Sequence, residues 1–191
     1  MNRELCKLYT PDACAKALVN YLPITMGEWV HEPHSGGGSF LRALDAKDGV
    51  WLTASDLEPD EGVTYRDGKR PKRADFLTWD WRTQAGVLPE NPPDWIIGNP
   101  PYITAEEHIR RAVEVTGRHV VFVLRLAMLE GVKRAGGLWK DTPLREVIVL
   151  APRPSFTSNG RTDTKTAYAA FWWDKYWSKP PQVSWLKWNK K

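Results

Sequence analysis

Short apolar runs alternate along the chain with stretches whose apolar residues recur at helical spacing. Such alternation is typical of a mainly parallel sheet whose strands are connected by helices. The most apolar run predicts a central strand that is buried on both faces. The last two runs have no helical pattern between them, so we expect the last strand to lie antiparallel beside its neighbour. The predicted strands are Trp29 to Glu32, Val50 to Ser55, Asp94 to Gly98, His119 to Leu126, Glu146 to Leu150 and Tyr168 to Trp173.

Three helices are marked by residues that favour helix starts. Thr10 is predicted to cap the first helix, and Pro11 suits its first position, where proline's missing N–H is not needed. Ser39 to Ala46 is predicted to form the second helix. Thr104 and Glu107 have the spacing of a capping box, in which each side chain accepts a hydrogen bond from the other residue's backbone N–H, and they mark the third.

Length and composition fit one globular domain with a sizeable core, since the chain has 191 residues of which 42% are hydrophobic. No apolar run approaches the roughly 18 residues of a membrane span, so no membrane association is expected. The mixed, charged N-terminus lacks the apolar stretch of a signal peptide, which favours a cytoplasmic protein. Cys6 and Cys14 lack the paired spacing of zinc ligands and are expected to be reduced, partly buried thiols. The oligomeric state is left open.

Three polar stretches are candidate binding surfaces. The net charge of +4 suits a polyanionic partner. Basic residues concentrate in Arg66 to Arg73 and in Trp185 to Lys191, and cations among aromatic rings suit a phosphate backbone with unstacked bases. A solvated loop and a frayed tail explain the same residues at least as well. Pro152 to Thr166 is predicted to be a long polar loop, and loops of that length are often functional.

The strongest chemical signal is an apolar strand that runs directly into Asn99-Pro100-Pro101-Tyr102. The amino nitrogen of adenine is a poor nucleophile, because its lone pair is delocalised into the ring. The side-chain oxygen of Asn99 and the carbonyl of Pro100 could accept hydrogen bonds from this group and free the lone pair. Prolines fix the turn and offer no competing N–H. Tyr102 could stack on a base drawn out of a helix. A plain Pro-Pro turn after a strand is the alternative.

A second signal is the glycine-rich stretch from Glu32 to Phe40, which lies between a predicted strand and a helix. Glycines allow a bound cofactor to approach the backbone closely, and a helix start favours polar groups. Asp56 follows the next strand, where a carboxylate can accept hydrogen bonds from ribose hydroxyls. A flexible loop and a surface turn are the alternatives.

Taken in order, these motifs resemble the adenine-specific DNA methyltransferases that carry the cofactor motif first and Asn-Pro-Pro-Tyr second. The resemblance covers nearly the whole chain, and its later segments look like the small phage-type members. It implies a Rossmann-like, S-adenosylmethionine-dependent methyltransferase fold of α/β class with an antiparallel last strand. The positions that match the family's motifs are Tyr9, Thr10, Pro11, Glu32, Gly36, Gly38, Asp56, Asp75 and Phe76 for the cofactor, Asn99 to Tyr102 for catalysis, and Phe156 with Tyr102 for the flipped base.

The resemblance implies direct methyl transfer from S-adenosylmethionine to the 6-amino group of adenine in DNA, with no metal ion. Relatives that recognise a sequence usually carry a separate target-recognition domain, and this chain leaves little room for one. We therefore expect a single catalytic domain over residues 1–191 with low sequence specificity. Methylation of adenine in RNA, of a glutamine amide in a protein, and binding of nucleic acid without catalysis are the alternatives. The first two need the same activation of an amino nitrogen.

Overall fold

A central sheet of eight strands and a two-stranded hairpin make up the β-structure of the described residues. The computed structural model of the chain describes residues 9–80, 91–158, 161–163 and 165–189. In chain order the strands are β1 Trp29–Glu32, β2 Trp51–Asp56, β3 Lys72–Arg73, β4 Trp95–Gly98, β5 His119–Arg125, β6 Leu144–Ala151, β7 Phe156–Ser158, β8 Arg161–Asp163, β9 Tyr168–Asp174 and β10 Gln182–Lys187. The helices are α1 Asp12–Tyr21, α2 Ser39–Asp45, α3 Ala105–Val115, α4 Val132–Gly136 and α5 Leu138–Asp141.

The main sheet has the order β10-β6-β9-β5-β4-β1-β2-β3. All its pairings are parallel except those of β9, which runs antiparallel to β5 and to β6. The predicted mixed sheet, with an antiparallel strand beginning at Tyr168, is confirmed. The expectation that this strand would be the last is wrong, because β10 follows it and pairs in parallel with β6.

Both faces of the sheet are covered, which explains why β5 is almost continuously apolar. Along β5, Val121 and Val123 belong to the core that α1 and α2 share. The alternate residues Val120 and Phe122 belong to the core that α3 completes. Successive side chains of a strand point to opposite faces, so a strand between two helical layers needs apolar residues at every position.

The helix starts differ from the predicted caps. Pro11 itself occupies the capping position of α1, and no side chain caps it. The Thr10 side chain is turned inwards, is 5% exposed, and its hydroxyl has no hydrogen-bond partner. Thr104 precedes α3 without a side-chain cap, so the capping box with Glu107 is wrong. The reason is local: a 3-10 turn over Tyr102–Thr104 leads directly into α3 and leaves no extended residue to cap it.

The C-terminal segment is a strand as far as Lys187, where the sequence suggested a tail. Trp188 is buried, and its indole N–H donates to the Pro152 carbonyl at 2.7 Å. The Trp185 side chain is 66% exposed. Lys190 and Lys191 lie outside the described residues. This segment therefore contributes to the sheet edge, and only part of it presents an aromatic surface.

The two other polar stretches also have more structure than predicted. The stretch from Pro152 to Thr166 contains the β7–β8 hairpin, with residues 159, 160 and 164 outside the described part. In the first basic segment, the Arg66 guanidinium lies 2.9 Å from a carboxylate oxygen of Asp45 and also donates to two carbonyls. Arg66 is therefore held against the end of α2.

Cys14 is a free, buried thiol, as expected, and burial raises its pKa to about 12. Cys6 lies outside the described residues. Among the helices that the structure describes, none is both long enough and apolar enough to cross a membrane.

Candidate active site

The site lies at the carboxyl edge of the sheet, where the loops after β1, β2 and β4 meet. These strands are adjacent and parallel, so their following loops emerge on the same side. The glycine loop after β1 touches the start of the Asn-Pro-Pro-Tyr turn. A methyl group placed on Gly98 would lie 3.2 Å from Nδ1 of His34. The fold thus brings the two strongest sequence motifs into contact.

The backbone of the glycine loop depends on two glycines. Gly36 has a φ of 44° and Gly38 a φ of 80°, in the left-handed region that side chains disfavour. A Cβ on Gly38 would also lie 2.9 Å from a methyl group of Val63. The Gly38 N–H donates to the Ser35 carbonyl at 2.7 Å, which closes the turn before α2. Larger residues at these two positions would open the loop.

Asp56, the last residue of β2, fastens this loop to the neighbouring strand. One carboxylate oxygen accepts the Gly36 N–H at 2.8 Å, and the other accepts the Glu58 N–H at 2.9 Å. A carboxylate offers about four acceptor positions, so Asp56 retains capacity for a ligand's hydroxyl groups. The sequence did not indicate that Asp56 fastens the loop. This structural role is compatible with the predicted contact between Asp56 and a ribose.

Glu32 is the last residue of β1 and is buried, with 1% of its surface exposed. Its Oε2 has no hydrogen-bond partner. Burial, with a smaller effect of the Asp56 charge, raises the pKa of this carboxyl well above its usual range. An unsatisfied buried carboxyl is costly. Its position at the mouth of the glycine loop is consistent with a group reserved for a ligand.

Tyr9 lies over the glycine loop. Its ring would contact a Cβ on Gly36 at 3.0 Å, and its hydroxyl donates to a carboxylate oxygen of Asp60 at 2.8 Å. Burial and the nearby Asp60 raise the pKa of this phenol to about 12. Tyr9 thus borders the loop, and Thr10 and the half-buried Pro11 follow it in sequence.

The Asp75-Phe76 pair lies beside His34 of the loop. Asp75 accepts the Leu77 N–H at 3.0 Å and holds a turn. The Phe76 ring is 2% exposed and stands edge-on to His34 at 5.5 Å. It also stacks on His108 of α3 at 6.1 Å. Phe76 is therefore enclosed by neighbouring rings, and a cofactor base that contacts it would require some of these side chains to shift.

His34 is a site residue that the sequence reading did not single out. Both of its ring nitrogens are buried and have no hydrogen-bond partner. Phe76, His108 and Phe122 surround the ring at 4.9 to 5.6 Å. Burial, and to a lesser degree the two neighbouring histidines, lowers its pKa well below the usual value, so the ring is neutral. The sequence feature that could have indicated this residue is its position in the glycine-rich stretch, directly after Glu32-Pro33.

The Asn99–Tyr102 turn follows β4 without a break. Asn99 is half-buried, Pro100 is buried and Pro101 is exposed. The Tyr102 phenol lies beside the Asn99 and Tyr168 side chains, and burial raises its pKa. Its ring centre is 5.8 Å from that of Tyr168, and the Arg125 guanidinium lies over it at 5.1 Å.

Phe156 is near this turn but has no free face. It is fully buried, and its ring centre lies 4.3 Å from that of Tyr168. Tyr168 thus lies beside both Phe156 and Tyr102. A base that stacks on Phe156 would require Tyr168 or the hairpin to shift. Among the described residues, no three metal-ligating side chains come together.

No family model matches this chain, and no curated protein matches it in sequence. Solved structures do match it. A protein of Listeria monocytogenes, described as a class I S-adenosylmethionine-dependent methyltransferase, has a TM-score of 0.63 and 15% identity, covering 97% of this chain and 68% of its own. The M protein of the type I restriction enzyme EcoKI has a TM-score of 0.63 and 13% identity, covering 94% of this chain and 48% of its own. The 23S rRNA methyltransferase ErmE has a TM-score of 0.57 and 17% identity, covering 91% of this chain and 70% of its own.

These likenesses confirm the predicted fold class: the chain has the Rossmann-like fold of S-adenosylmethionine-dependent methyltransferases. It spans about half the length of the restriction-enzyme subunit.

Proposed function

We propose that this chain transfers a methyl group from S-adenosylmethionine to the exocyclic 6-amino group of adenine in DNA. The observation that carries the proposal is the contact between the glycine loop at His34 and the catalytic turn at Gly98. One loop has the geometry to hold a cofactor, and the other carries acceptors for an amino group. Their contact brings the two halves of a methyl transfer together in a methyltransferase fold.

The residues around the glycine loop fit S-adenosylmethionine, a molecule with a cationic sulfonium, an ammonium group and two ribose hydroxyls. Glu32 and Thr10 each have a buried oxygen without a partner, and these oxygens can accept hydrogen bonds from the ligand. The left-handed backbone at Gly36 lets the loop turn closely beneath the Tyr9 ring, which forms one border of this site. Asp56 would hold the ribose. Asp75 with Phe76 would hold the adenine ring of the cofactor.

On the acceptor side, Asn99 and Pro100 would take the two hydrogens of the amino group. The Asn99 side-chain oxygen and the Pro100 carbonyl would accept these hydrogens, which favours a pyramidal nitrogen and frees its lone pair. Tyr102 would stack on the flipped base. When bound, S-adenosylmethionine supplies a methyl group for direct transfer to that nitrogen, without a covalent enzyme intermediate or a metal ion.

Adenine in RNA is the second candidate substrate. The likeness to the 23S rRNA methyltransferase ErmE favours it, and a flipped adenine looks the same in either polymer apart from the 2′-hydroxyl. The likeness to the EcoKI M protein, which methylates adenine in DNA, favours DNA. Glutamine in a protein would need the same acceptors but would not use a stacking platform for a base.

The deciding experiment offers labelled S-adenosylmethionine with DNA, RNA and a protein mixture, and identifies the product by mass spectrometry. We expect N6-methyladenine in DNA. Methyl transfer to RNA or to glutamine alone would replace the proposed substrate. Absence of transfer to all three by protein that binds S-adenosylmethionine would refute the catalytic proposal.

Asn99 tests the catalytic role directly. Asn99→Ala should leave folding and cofactor affinity nearly unchanged but reduce the single-turnover rate by orders of magnitude, because one positioned electrostatic contact contributes roughly 2.7–4 kcal/mol in a transition state. Asn99→Asp should retain more activity, since it keeps an acceptor at the same place. Asn20→Ala on the exposed face of α1 is the control. A normal rate in Asn99→Ala, with a normal melting temperature, would remove the assignment.

A further inference from the structure

Two segments beside the catalytic turn carry an excess of positive charge. Residues 125–135 and 151–168 together contain six Lys and Arg and two carboxylates, a net charge of +4. The whole chain has 27 Lys and Arg and 23 carboxylates, also a net of +4. The remaining residues are balanced at 21 of each sign, and within them residues 66–73 carry a separate local net charge of +4.

Three arginines of these segments, Arg125, Arg134 and Arg153, make no ion pair with a carboxylate among the described residues. Arg134 donates to the Met128 carbonyl at 3.0 Å, and Arg153 to the Lys165 carbonyl at 3.2 Å. Arg125 is exposed and contacts the Tyr102 ring. Carbonyls and rings orient a guanidinium without neutralising it. By contrast, Arg110 on α3 pairs with Glu106 and Asp141.

The fold joins these arginines into one rim at the carboxyl edge of β5. Arg125 is the last residue of β5 and lies opposite Tyr168 of β9. The next residue, Leu126, donates its N–H to the Ala167 carbonyl at 2.8 Å. Ala167 is two residues from Lys165, whose carbonyl holds Arg153. Arg134 donates to the Met128 carbonyl, within the 3-10 turn Leu126–Leu129 that follows β5. The cationic rim, defined as Arg125, Arg134 and Arg153, thus adjoins Tyr102 and Tyr168.

We propose that the cationic rim binds the phosphodiester backbone next to the base that Tyr102 receives, with Arg125 as its central contact. The inference rests on the proposed function and deepens it, because it makes a nucleic-acid strand, and not a free nucleoside or an amide side chain, the substrate. Guanidinium groups suit phosphate oxygens, which they bind through parallel hydrogen bonds. Arg125 lies over one face of the Tyr102 ring at 5.1 Å, so a phosphate bound by Arg125 would lie beside the base that Tyr102 receives.

The test measures DNA binding by the full chain, by fluorescence anisotropy over a range of salt concentrations, independently of turnover. Each phosphate contact contributes about 0.9 to the slope of log affinity against log salt. Arg125→Ala should weaken binding similarly for all DNA sequences and lower the slope by about that amount. Arg125→Lys should keep most of the slope. Arg110→Ala, which removes a paired arginine, should leave binding and slope unchanged.

Activity provides the second arm. Arg125→Ala should raise the KM for a DNA oligonucleotide and leave the affinity for S-adenosylmethionine unchanged. A wild-type slope in Arg125→Ala overturns the inference. Equal losses in Arg125→Ala and Arg125→Lys at an unchanged slope also overturn it, because they indicate that Arg125 only supports Tyr102.

An RNA strand of the same sequence should show the same loss of slope, since the contact is with phosphate. The proposed function would be refuted independently of this inference if the wild-type protein bound DNA with the expected slope but methylated no adenine.

Discussion

Glu32→Gln should stabilise the protein at neutral and alkaline pH while weakening its proposed cofactor site. The carboxyl is buried, and one oxygen has no partner. Burial, followed by the Asp56 charge, raises its pKa well above the ordinary value of 4.5. The folded protein therefore binds this proton more tightly than the unfolded chain does. The contribution of Glu32 to stability is complete below pH 4.5 and is lost as the pH rises through the raised pKa.

The size of the effect follows from the contacts of the carboxyl. An unsatisfied buried polar group costs about 1–3 kcal/mol, and more when it is charged. Glutamine has nearly the same shape and cannot ionise, but it leaves an amide in the same place, so we expect it to recover about 1–2 kcal/mol. For a chain of this size, 1 kcal/mol shifts Tm by about 2–4 °C. Tm should thus rise by about 2–8 °C near pH 8.

The assay is thermal unfolding of both proteins between about pH 5 and pH 8, with calorimetric titration of S-adenosylmethionine beside it. The gain in Tm should shrink as the pH falls towards 4.5, below which Glu32 is protonated in both states. Loss of one charged hydrogen bond should weaken cofactor binding by about 10- to 100-fold. Glu114→Gln on α3 is the control: it removes an exposed carboxylate that pairs with Arg111, so it should change the stability by less than about 1 kcal/mol and leave cofactor affinity unchanged.

Two outcomes would refute this reasoning. A Tm that falls equally at every pH would mean that Glu32 stabilises the fold through contacts that do not depend on its charge. An unchanged affinity for S-adenosylmethionine would mean that the unpaired oxygen is not turned towards the ligand.

Two further predictions concern the walls of the site. Tyr102→Phe should be mild, since stacking needs only the ring, whereas Tyr102→Ala should weaken binding of the flipped base by about 1–3 kcal/mol; single-turnover kinetics would show this, and equal effects of both variants would count against stacking. Asp56→Ala and Asp75→Ala should each weaken cofactor binding by a few kcal/mol at most, while Asp56→Asn should keep an acceptor for the Gly36 N–H. Calorimetry that found wild-type affinity in both alanine variants would remove the placement.

The sequence predicted those parts of the fold that depend on local pattern. The strands β1, β4 and β5 are buried on both faces, so their apolar runs stand out. Among the strands that were missed, β10 has a different pattern, with Val183 and Trp185 exposed at the sheet edge. Its backbone pairing with β6, more than thirty residues earlier, determines its structure. Periodicity does not record such long-range pairing.

The candidate site was predicted to a similar extent. The glycine-rich stretch and the Asn-Pro-Pro-Tyr motif predicted that the loops after β1 and β4 form the site. The parallel arrangement of these strands explains why the two loops meet. The roles of His34 and Arg125 were missed because each depends on neighbours distant in sequence: His34 is enclosed by residues of α3 and β5, and Arg125 faces the ring of Tyr102. The burial of Phe156 against Tyr168 was missed for the same reason.

The placement of β9 accounts for the division of the site into two halves. Because β9 runs antiparallel beside β5, its first residue, Tyr168, reaches the same edge as the last residues of the parallel strands. The half of the site that would receive the base, after β4 and β5, therefore includes Tyr168 and the nearby Arg153. The half that would hold the cofactor, after β1 and β2, includes the carboxyl groups of Glu32 and Asp56. A cationic cofactor and an anionic polymer need opposite charges around them. Glu32 and Asp56 lie on one side of the line where β1 meets β4, and the cationic rim lies on the other. The His34 ring approaches Gly98 at this line, where the proposed transfer would take place.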